Sequence, residues 1–443
     1  MPALVLSAVQ TALDVSRLAE IADRMRCLML RNIATDGYRF SNPYQADMRS
    51  APGCIIASPS YPEATPGTNQ DYVHNWTRDA ALTAMELEAQ RAASGEFARD
   101  YVTFAALCLA AAKAADQFDY ACFNVDGSLR RIPTWSCQSD GPALQTLALI
   151  ALWRHFDADD DPIGKVASGL VAENVEYLLR VYGDETVTLW EEGWHKGHSF
   201  FARAVQLGCF RAIADNTIGI ARPDGLNAAI GDLEDALKRH WNGQLYTSLE
   251  SPASGFDPNI DIVLASLYGA VPTTDPRLLA TAARLRTLWA DPGSDRFYPI
   301  NGDDRGRGIG PLLGRYADDD YDGDGNHTGE CHPWALSTCA FAELCYRVAA
   351  DVAEKRAPTG DPDARPFFAQ VCRPGADAQD DKVAQLRDAG DAMLEAVVFH
   401  SDHLELGEQF DAWTGYGRSV RNLTWSYSAF LSAVRARAAI REV

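Results

Sequence analysis

The sequence predicts an all-α fold in which helices pack as two concentric layers and the loops between them gather at one rim. Apolar residues recur at three- and four-residue spacing in many segments of about 12 to 20 residues, as in amphipathic and buried helices. No repeat of fixed period is visible in the 443 residues, which disfavours a solenoid. No linker separates halves of different composition, so we expect residues 1–443 to form one domain.

This periodicity predicts about twelve main helices, the number and order expected for six helical hairpins. They lie near residues 12–32, 78–93, 96–117, 141–156, 166–182, 198–215, 222–239, 258–269, 276–290, 333–350, 380–399 and 422–440. Two short β-rich patches near residues 240–248 and 295–299 interrupt the helical pattern, and we predict that they form minor hairpins.

Two of the intervening loops are unusually long. Residues 50–76 are rich in Pro, Ser, Gly and Asn, and residues 299–332 are rich in Gly and Asp. Loops of such length inside a compact domain usually carry function or are disordered. Residues 318–330 begin like an EF-hand, but Gly329 stands where that motif needs a bidentate Glu. We therefore expect an acidic loop near the mouth of a site, and no metal site.

The charge balance narrows the classes of partner. The chain has 40 basic and 61 acidic residues, a net charge of −21, and such a surface repels nucleic acids and anionic membranes. No apolar run approaches the roughly 18 residues that span a bilayer. We expect a monomer that binds a neutral substrate such as a sugar, with no nucleic-acid or membrane partner.

The N-terminal segment and the cysteines indicate in which cellular compartment the protein is expected. No basic residue precedes the short apolar stretch at the N-terminus, and Asp14 follows it, so the segment is a poor secretory signal. The expectation is a cytoplasmic protein, or a secreted or periplasmic one if a leader was removed. The ten cysteines form no CxxC pair and lie mostly among apolar neighbours, which predicts buried free thiols.

Aromatic and charged residues concentrate at helix starts and in loops. The segments are DYVHNWTRDAAL (71–82), TWSCQSDGPALQ (134–145), TLWEEGWHKGHSFF (188–201) and LELGEQFDAW (404–413), the last followed by RNLTWSY (421–427). Taken singly, a Trp is usually core and an Arg-Asp pair is usually a salt bridge. An aromatic ring also packs on the C–H face of a pyranose, while carboxylates and Arg bind its hydroxyls. The combination therefore indicates carbohydrate recognition.

Hydrolysis of a glycosidic bond needs two carboxyl groups, one protonated to donate to the leaving oxygen and one ionised to activate water or attack carbon. Glu191 and Glu192 are adjacent carboxyls beside Trp190, and both like charge and aromatic desolvation raise a carboxyl pKa, as a general acid requires. A Glu-Glu pair alone is more often a solvated acidic turn. Glu408 lies far along the chain, so only the fold can bring it opposite Glu191.

In order along the chain, these segments resemble the catalytic domain of glucoamylases, glycoside hydrolase family fifteen. DYVHNWTRDAAL resembles the family's Trp-Thr-Arg-Asp segment, SDGPALQTLALI its Asp-Gly-Pro-Ala-Leu helix start, and LWEE followed by SFF its acid-catalyst segment. LGRYADD with HPWALST resembles its Gly-Arg-Tyr and Pro-Trp segments, and GEQ followed by LTWSYSAF resembles its base segment and last helix. The resemblance runs from IIASPS at 55–60 to the terminal helix.

The resemblance implies an (α/α)6 barrel with a funnel-shaped site, an inverting mechanism and no obligatory cofactor. It implies exo-acting release of β-glucose from the non-reducing ends of α-1,4-glucans or maltooligosaccharides, with Glu191 as general acid and Glu408 as general base. Further residues would bind substrate by gripping the terminal glucose, holding ring hydroxyls, binding the next sugar or forming aromatic walls. They are Tyr72, Trp76, Arg78, Asp79, Trp135, Glu192, Arg315, Trp334 and Trp425.

One segment departs from the family pattern. GWHKGH at 193–198 is slightly longer than the fungal spacing and places bulky residues where small polar ones are usual. We expect this loop to border the leaving-sugar subsite, which leaves open a relative acting on α-1,6-glucan, isomaltose or trehalose. A non-catalytic carbohydrate-binding protein and a phosphorolytic or lyase member of a barrel-sharing family also stay open, since one scaffold hosts several chemistries.

Overall fold

The computed structural model describes residues 15–440, apart from residues 44, 62–70, 131–137, 157–160, 217, 324–328 and 374–377. Within these residues the chain forms fourteen α-helices, most of them where the apolar periodicity predicts one. They are α1 (Val15–Leu30), α2 (Thr77–Ala89), α3 (Gly95–Ala114), α4 (Asp140–Ala151), α5 (Pro162–Val181), α6 (Phe200–Ala214), α7 (Leu226–Arg239), α8 (Asp261–Tyr268), α9 (Pro276–Ala290), α10 (Pro299–Arg307), α11 (Ala335–Ala353), α12 (Arg365–Val371), α13 (Gln379–His400) and α14 (Thr424–Ala438).

Six of these helices form a closed inner ring. Helices α2, α4, α6, α8, α11 and α14 contact one another in that order, and α14 returns to pack against α2. Helices α1, α3, α5, α7, α9 and α13 form the outer layer; α5 packs on α4, α7 on α6, α9 on α8, α13 on α11, and α1 on α14. The predicted all-α architecture is therefore confirmed, and its two layers form an (α/α)6 barrel.

The burial of the two layers explains their order. In the inner helix α14, every residue from Thr424 to Ala433 is buried, because one side faces the barrel centre and the other the outer layer. In the outer helix α7, the buried residues recur at three- and four-residue spacing along a single stripe. They are Leu226, Ala229, Leu233, Ala236 and Leu237. A helix apolar on one side takes the outer position.

The described residues contain four short antiparallel strand pairs. They are β1 (Ser41–Asn42) with β2 (Gln45–Arg49), β3 (Asn75–Trp76) with β4 (Cys122–Phe123), β5 (Thr186–Val187) with β6 (Lys196–Gly197), and β7 (Gln409–Phe410) with β8 (Gly417–Arg418). The hairpin predicted at 240–248 is reduced to one bridge between Trp241 and Tyr246. The hairpin predicted at 295–299 is wrong, because Pro299 begins α10 and proline suits the first turn of a helix.

Hydrogen bonds join the loops at the amino-terminal ends of the inner helices. The first amide of four of these helices donates to a carbonyl of another loop rather than to a capping side chain. These bonds are Thr77 N to Ala121 O (3.0 Å), Phe200 N to Ser248 O (2.8 Å), Ala335 N to Glu408 O (3.1 Å) and Thr424 N to Ala57 O (2.8 Å). Because these amides lack partners within their helix, the bonds satisfy them and fix the loops together.

The nine cysteines that the structure describes are all free thiols, as predicted, and six of them are buried. Cys27 is the exposed exception. Among the described helices, none has both the length and the apolar character required to cross a membrane.

Candidate active site

The inner helices α2, α11 and α14 and the loops before α6 and α14 enclose a cavity of about 380 Å³. Its lining includes every predicted site residue that the structure describes. These are Tyr72, Trp76, Arg78, Asp79, Glu191, Glu192, Arg315, Trp334, Glu408 and Trp425. Trp135 is outside the described residues, so its predicted role is untested.

Glu191 lies on a tight loop between α5 and α6. Its amide donates to Thr188 O at 3.0 Å, and Thr188 in turn donates to His195 O at 3.1 Å. The backbone of Glu191 has a φ of 64°, in the left-handed region that a non-glycine residue rarely adopts. Strain of this kind is found at functional sites, where the surrounding structure holds it. The loop leaves a quarter of the Glu191 side chain exposed to the cavity (25%).

The pKa of Glu191 is raised to about 8, chiefly because the surrounding protein removes most of the water from the carboxyl. The guanidinium of Arg78 opposes this shift, whereas the negative charges of Asp79 and Asp140 add to it. The expectation that Glu191 would have a raised pKa is met, but through different charges. Asp79 and Asp140 supply the like charge expected of Glu192, whose own pKa is lowered by Arg315 despite its burial.

Arg78 connects the start of α2 to the acidic groups around it. Its Nη2 donates to Oε1 of Glu191, and its Nη1 donates to Gln138 Oε1 at 2.9 Å and to Asp140 Oδ2 at 3.1 Å. Its Nε lies 3.6 Å from Asp79 Oδ2, and neither atom has a hydrogen-bond partner among the described residues. Buried polar atoms are normally satisfied, so this pair is suited to bind the hydroxyls of a ligand.

Glu408 precedes β7 and is held from three sides. Its carbonyl accepts from Ala335 N at 3.1 Å, and its amide donates to Val420 O at 3.0 Å. Tyr72 OH donates to Glu408 Oε1 at 3.0 Å, and Ser419 Oγ donates to Oε2. Both carboxylate oxygens therefore accept a hydrogen bond from a hydroxyl, an arrangement that favours the ionised form.

Burial raises the pKa of Glu408 to about 7, against the lowering effect of the hydroxyls of Ser419 and Tyr72. Ser419 reaches this position because Gly323 has no side chain: a Cβ there would lie 2.2 Å from the Ser419 Cβ. Ser419 itself has a φ of 65°. Two loops and one strained residue thus determine where the hydroxyl points.

Glu192 lies on the cavity wall but is already fully engaged. Arg315 Nη2 donates to its Oε1 at 2.8 Å, Tyr316 OH lies within 2.9 Å of both oxygens, and His195 Nδ1 is 2.8 Å from its Oε2. Arg315 also binds Asp319 through Nε at 2.8 Å and Nη2 at 2.6 Å. The predicted contact of Glu192 with a second sugar stays a prediction, and in the structure Glu192 holds Arg315 in place.

Aromatic rings form the floor and one wall of the cavity. Trp190 stacks on Trp425 with ring centroids 6.3 Å apart and meets Trp334 at 6.0 Å. The guanidinium of Arg315 lies over Trp334 at 4.6 Å and over Trp190 and Tyr321 at 5.2 Å each. Trp194, from the unusual loop at 193–198, also lines the cavity.

Several functional contacts escaped the sequence analysis. Ser419 and Tyr321 both lie beside Glu408, and Tyr321 OH is 2.8 Å from Tyr72 OH. Tyr321 belongs to the acidic loop predicted near the mouth, and its aromatic ring within an Asp-rich segment was the available signal. Ser419 carried no signal, because its role depends on the approach of Gly323 from another loop.

The arrangement supports chemistry that requires one proton donor and one proton acceptor. Glu191 has the higher pKa and contacts Arg78 through Oε1, which leaves Oε2 to carry a proton. Glu408 is held by two hydroxyl donors, which favour its carboxylate. Both carboxyls line one cavity, as cleavage of a sugar acetal by protonation and water activation demands.

Comparison with known proteins shows the family and the fold. The model of the family described as Glycosyl hydrolases family 15 matches residues 24–435. A glucoamylase of Blastobotrys adeninivorans is 27% identical over 88% of this chain and 68% of the relative. A probable glucoamylase of Schizosaccharomyces pombe is 27% identical over 93% of this chain and 89% of the relative. The solved family 15 glucoamylase from Hypocrea jecorina superposes with a TM-score of 0.78 at 22% identity, covering 96% of this chain and 73% of that one.

Proposed function

This chain belongs to glycosyl hydrolases family 15, and from that premise we propose that Glu191 and Glu408 are the general acid and the general base of its reaction. The protein is an exo-acting glucoamylase, a glucan 1,4-α-glucosidase. One observation supports the residue assignment above all: the two glutamates line the same cavity but have different partners, Arg78 for Glu191 and two hydroxyls for Glu408.

The proposed reaction is a single displacement at the anomeric carbon. Glu191 donates its proton to the glycosidic oxygen as the bond from that oxygen to C1 breaks. Glu408 accepts a proton from a water molecule whose oxygen forms the new bond to C1 from the opposite face. Such inverting enzymes hold their carboxyls roughly 6.5–9.5 Å apart to leave room for that water. The product is β-glucose, and no covalent intermediate forms.

The charged and aromatic residues that line the cavity position the substrate. Arg78 Nε and Asp79 Oδ2, which form no hydrogen bond with a described residue, bind hydroxyls of the terminal glucose. The rings of Trp76, Trp334 and Tyr72 lie around the sugar. Holding the ring in one orientation aligns the glycosidic oxygen with Glu191 and C1 with the water on Glu408. A cavity of about 380 Å³ accommodates the end of a chain, which accounts for exo action.

The alternatives have less support. A non-catalytic binding protein would be expected to lack one carboxyl, and both are present here with hydrogen-bond partners in the same cavity. Phosphorolysis would not need Glu408. No observation favours α-1,6-glucan or trehalose over α-1,4-glucan as substrate.

We further propose that residues 1–443 form one catalytic domain that acts as a monomer on glucan, and that the net charge of −21 disfavours nucleic-acid and membrane partners.

Proton NMR of the first products tests the mechanism. Wild-type protein and maltotriose should yield β-glucose before mutarotation produces the α-anomer, and α-glucose appearing first would overturn the inverting mechanism. Maltooligosaccharides, isomaltose and trehalose should be assayed side by side, with and without phosphate. A wide preference for trehalose over maltose would reject α-1,4-glucan as the substrate. A requirement for phosphate would reject hydrolysis as the reaction.

A further inference from the structure

Asn259 lies behind the wall of the active site, just before α8 begins. Its side chain is fully buried, and it is not among the residues that line the active-site cavity. Its Oδ1 accepts a hydrogen bond from Nε1 of Trp190 and another from the amide of Asp261, each at 3.1 Å. An indole N–H and a backbone amide can only donate, so these two partners determine which way the Asn259 side chain points.

The hydrogen bond to Asn259 fixes the ring of Trp190, which is also buried. A buried indole N–H normally finds an acceptor, because leaving it without one is costly. Trp190 also stacks on Trp425 and meets Trp334. Such apolar contacts are non-directional, whereas a hydrogen bond requires the donor to point at its acceptor. Asn259 therefore determines where the ring of Trp190 lies within its stack.

The segment that contains Asn259 also holds the far end of the loop that carries the proposed acid. The carbonyl of Ser248 accepts from the amide of Phe200, the first residue of α6, at 2.8 Å. The amide of Ser248 in turn donates to Oδ1 of Asp257 at 2.8 Å. The loop is therefore anchored to one segment on both sides of the acid, through Trp190 before it and Phe200 after it.

This anchoring is important because the backbone of Glu191 is strained. Its φ of 64° belongs to a conformation that a non-glycine residue keeps only where the surrounding structure holds it. Trp190 is the preceding residue, so a shift of its ring moves the peptide plane that it shares with Glu191. A displacement of about 1 Å in a reacting group can lower a rate by on the order of 10²-fold.

We propose that Asn259 is a positioning residue for proton donation. By accepting from Trp190, it holds the loop in the conformation from which Glu191 reaches the glycosidic oxygen. Asn259 lies outside the cavity and acts on the reaction only through Trp190. The inference rests on the proposed role of Glu191 and extends it, because the loss of one buried amide should selectively impair the step in which the leaving oxygen is protonated.

The leaving group of the substrate separates proton donation from the other steps. Maltotriose needs a proton from the acid, whereas α-glucosyl fluoride releases fluoride without one. Asn259→Leu should lower kcat/KM for maltotriose by about tenfold and that for the fluoride by less than about twofold. A pH profile is less selective here, because burial raises the pKa of Asp261 to about 8, close to that of Glu191.

Two further variants test the contact itself. Trp190→Phe removes the donor but keeps an aromatic ring, and it should impair maltotriose more than the fluoride even if Asn259→Leu does not fold. The double variant should lose no more activity on maltotriose than Trp190→Phe alone, because the two residues act through one contact. Asn259→Asp keeps an acceptor oxygen and should restore kcat/KM for maltotriose to within about threefold of the wild type.

Asn174→Leu is the matched control. Asn174 is buried, and its Nδ2 donates to Gln145 Oε1 at 3.0 Å, between α5 and α4 and outside the active-site cavity. Its loss should lower stability but leave the ratio of the two kcat/KM values within about twofold of the wild type. Equal losses of Asn259→Leu on both substrates, or additive losses in the double variant, would overturn the proposal. Failure of the proposed function would instead appear as a Glu191→Gln variant that does not spare the fluoride.

Discussion

Tyr72 OH donates a hydrogen bond to Oε1 of Glu408 at 3.0 Å, and this contact joins the loop before α2 to the loop before α14. It lowers the pKa of Glu408 against the raising effect of burial. The bond is therefore expected to keep the proposed base ionised at the pH where the proposed acid is still protonated. Its loss should affect the base alone.

Tyr72→Phe should lower kcat by roughly 10- to 100-fold, the value of a hydrogen bond to a charged group. It should also move the acidic limb of the pH profile to higher pH, because the pKa of Glu408 rises when a donor to its carboxylate is removed. Tyr346→Phe removes a comparable bond to Asp391 (2.7 Å) outside the active site and should leave both limbs in place. An unmoved acidic limb in Tyr72→Phe would contradict this role.

Substituting the two glutamates should separate their roles. Glu191→Gln should reduce kcat on maltotriose by about 10²- to 10⁴-fold, the contribution of general acid catalysis. It should retain most activity on α-glucosyl fluoride, whose fluoride leaves without protonation. Glu408→Gln should be impaired on both substrates, because each needs an activated water. Comparable losses of both variants on the fluoride would refute the assignment of Glu191 as the acid.

The pH dependence of kcat/KM should be bell-shaped and narrow. Activity should rise with pH through about 7, as Glu408 loses its proton, and fall through about 8, as Glu191 loses its own. Both limbs lie above the ordinary range of a glutamate because burial disfavours each carboxylate. Initial rates on maltotriose from pH 4 to 10 measure the profile. Full activity at pH 4.5 would show that the base ionises without the raised pKa.

Closure of the barrel depends in part on Arg435 of α14 and Glu86 of α2. Arg435 Nη2 donates to Glu86 Oε2 at 2.9 Å, and Glu86 is buried. Arg435→Ala should lower the free energy of unfolding by about 2 kcal/mol, less than the loss for a fully buried pair, because Arg435 is 39% exposed. Urea denaturation measures the change. Arg180→Ala, which breaks an exposed pair with Glu176, should cost less than about 0.5 kcal/mol.

The loss of unfolding free energy in Arg435→Ala should depend on pH, which provides a check. Burial raises the pKa of Glu86 and Arg435 opposes the shift, so the variant should raise it further. A carboxyl with a higher pKa in the folded state than in the unfolded state binds more protons when folded, and the free energy of unfolding falls as pH rises. The difference in unfolding free energy between the wild type and Arg435→Ala should thus be larger at pH 8 than at pH 5. An equal deficit at both would assign it to lost packing.

The sequence by itself predicted twelve of the fourteen described helices, their packing in two layers and ten of the residues that line the active-site cavity. Helical periodicity is local, since a stripe of apolar residues such as that of α7 predicts a helix with one buried side from a single segment of the sequence. The segments around Arg78, Glu191, Arg315 and Glu408 were likewise recognisable because each concentrates charged and aromatic residues within a short stretch.

Only the tertiary structure decided which groups meet. The hydrogen bond of Ser419 with Glu408 and that of Arg315 with Glu192 each join residues from separate loops. The helix at Pro299 likewise replaced a predicted hairpin. The physical reason is that these contacts depend on ring closure and on backbone approach at positions such as Gly323, which no local pattern encodes.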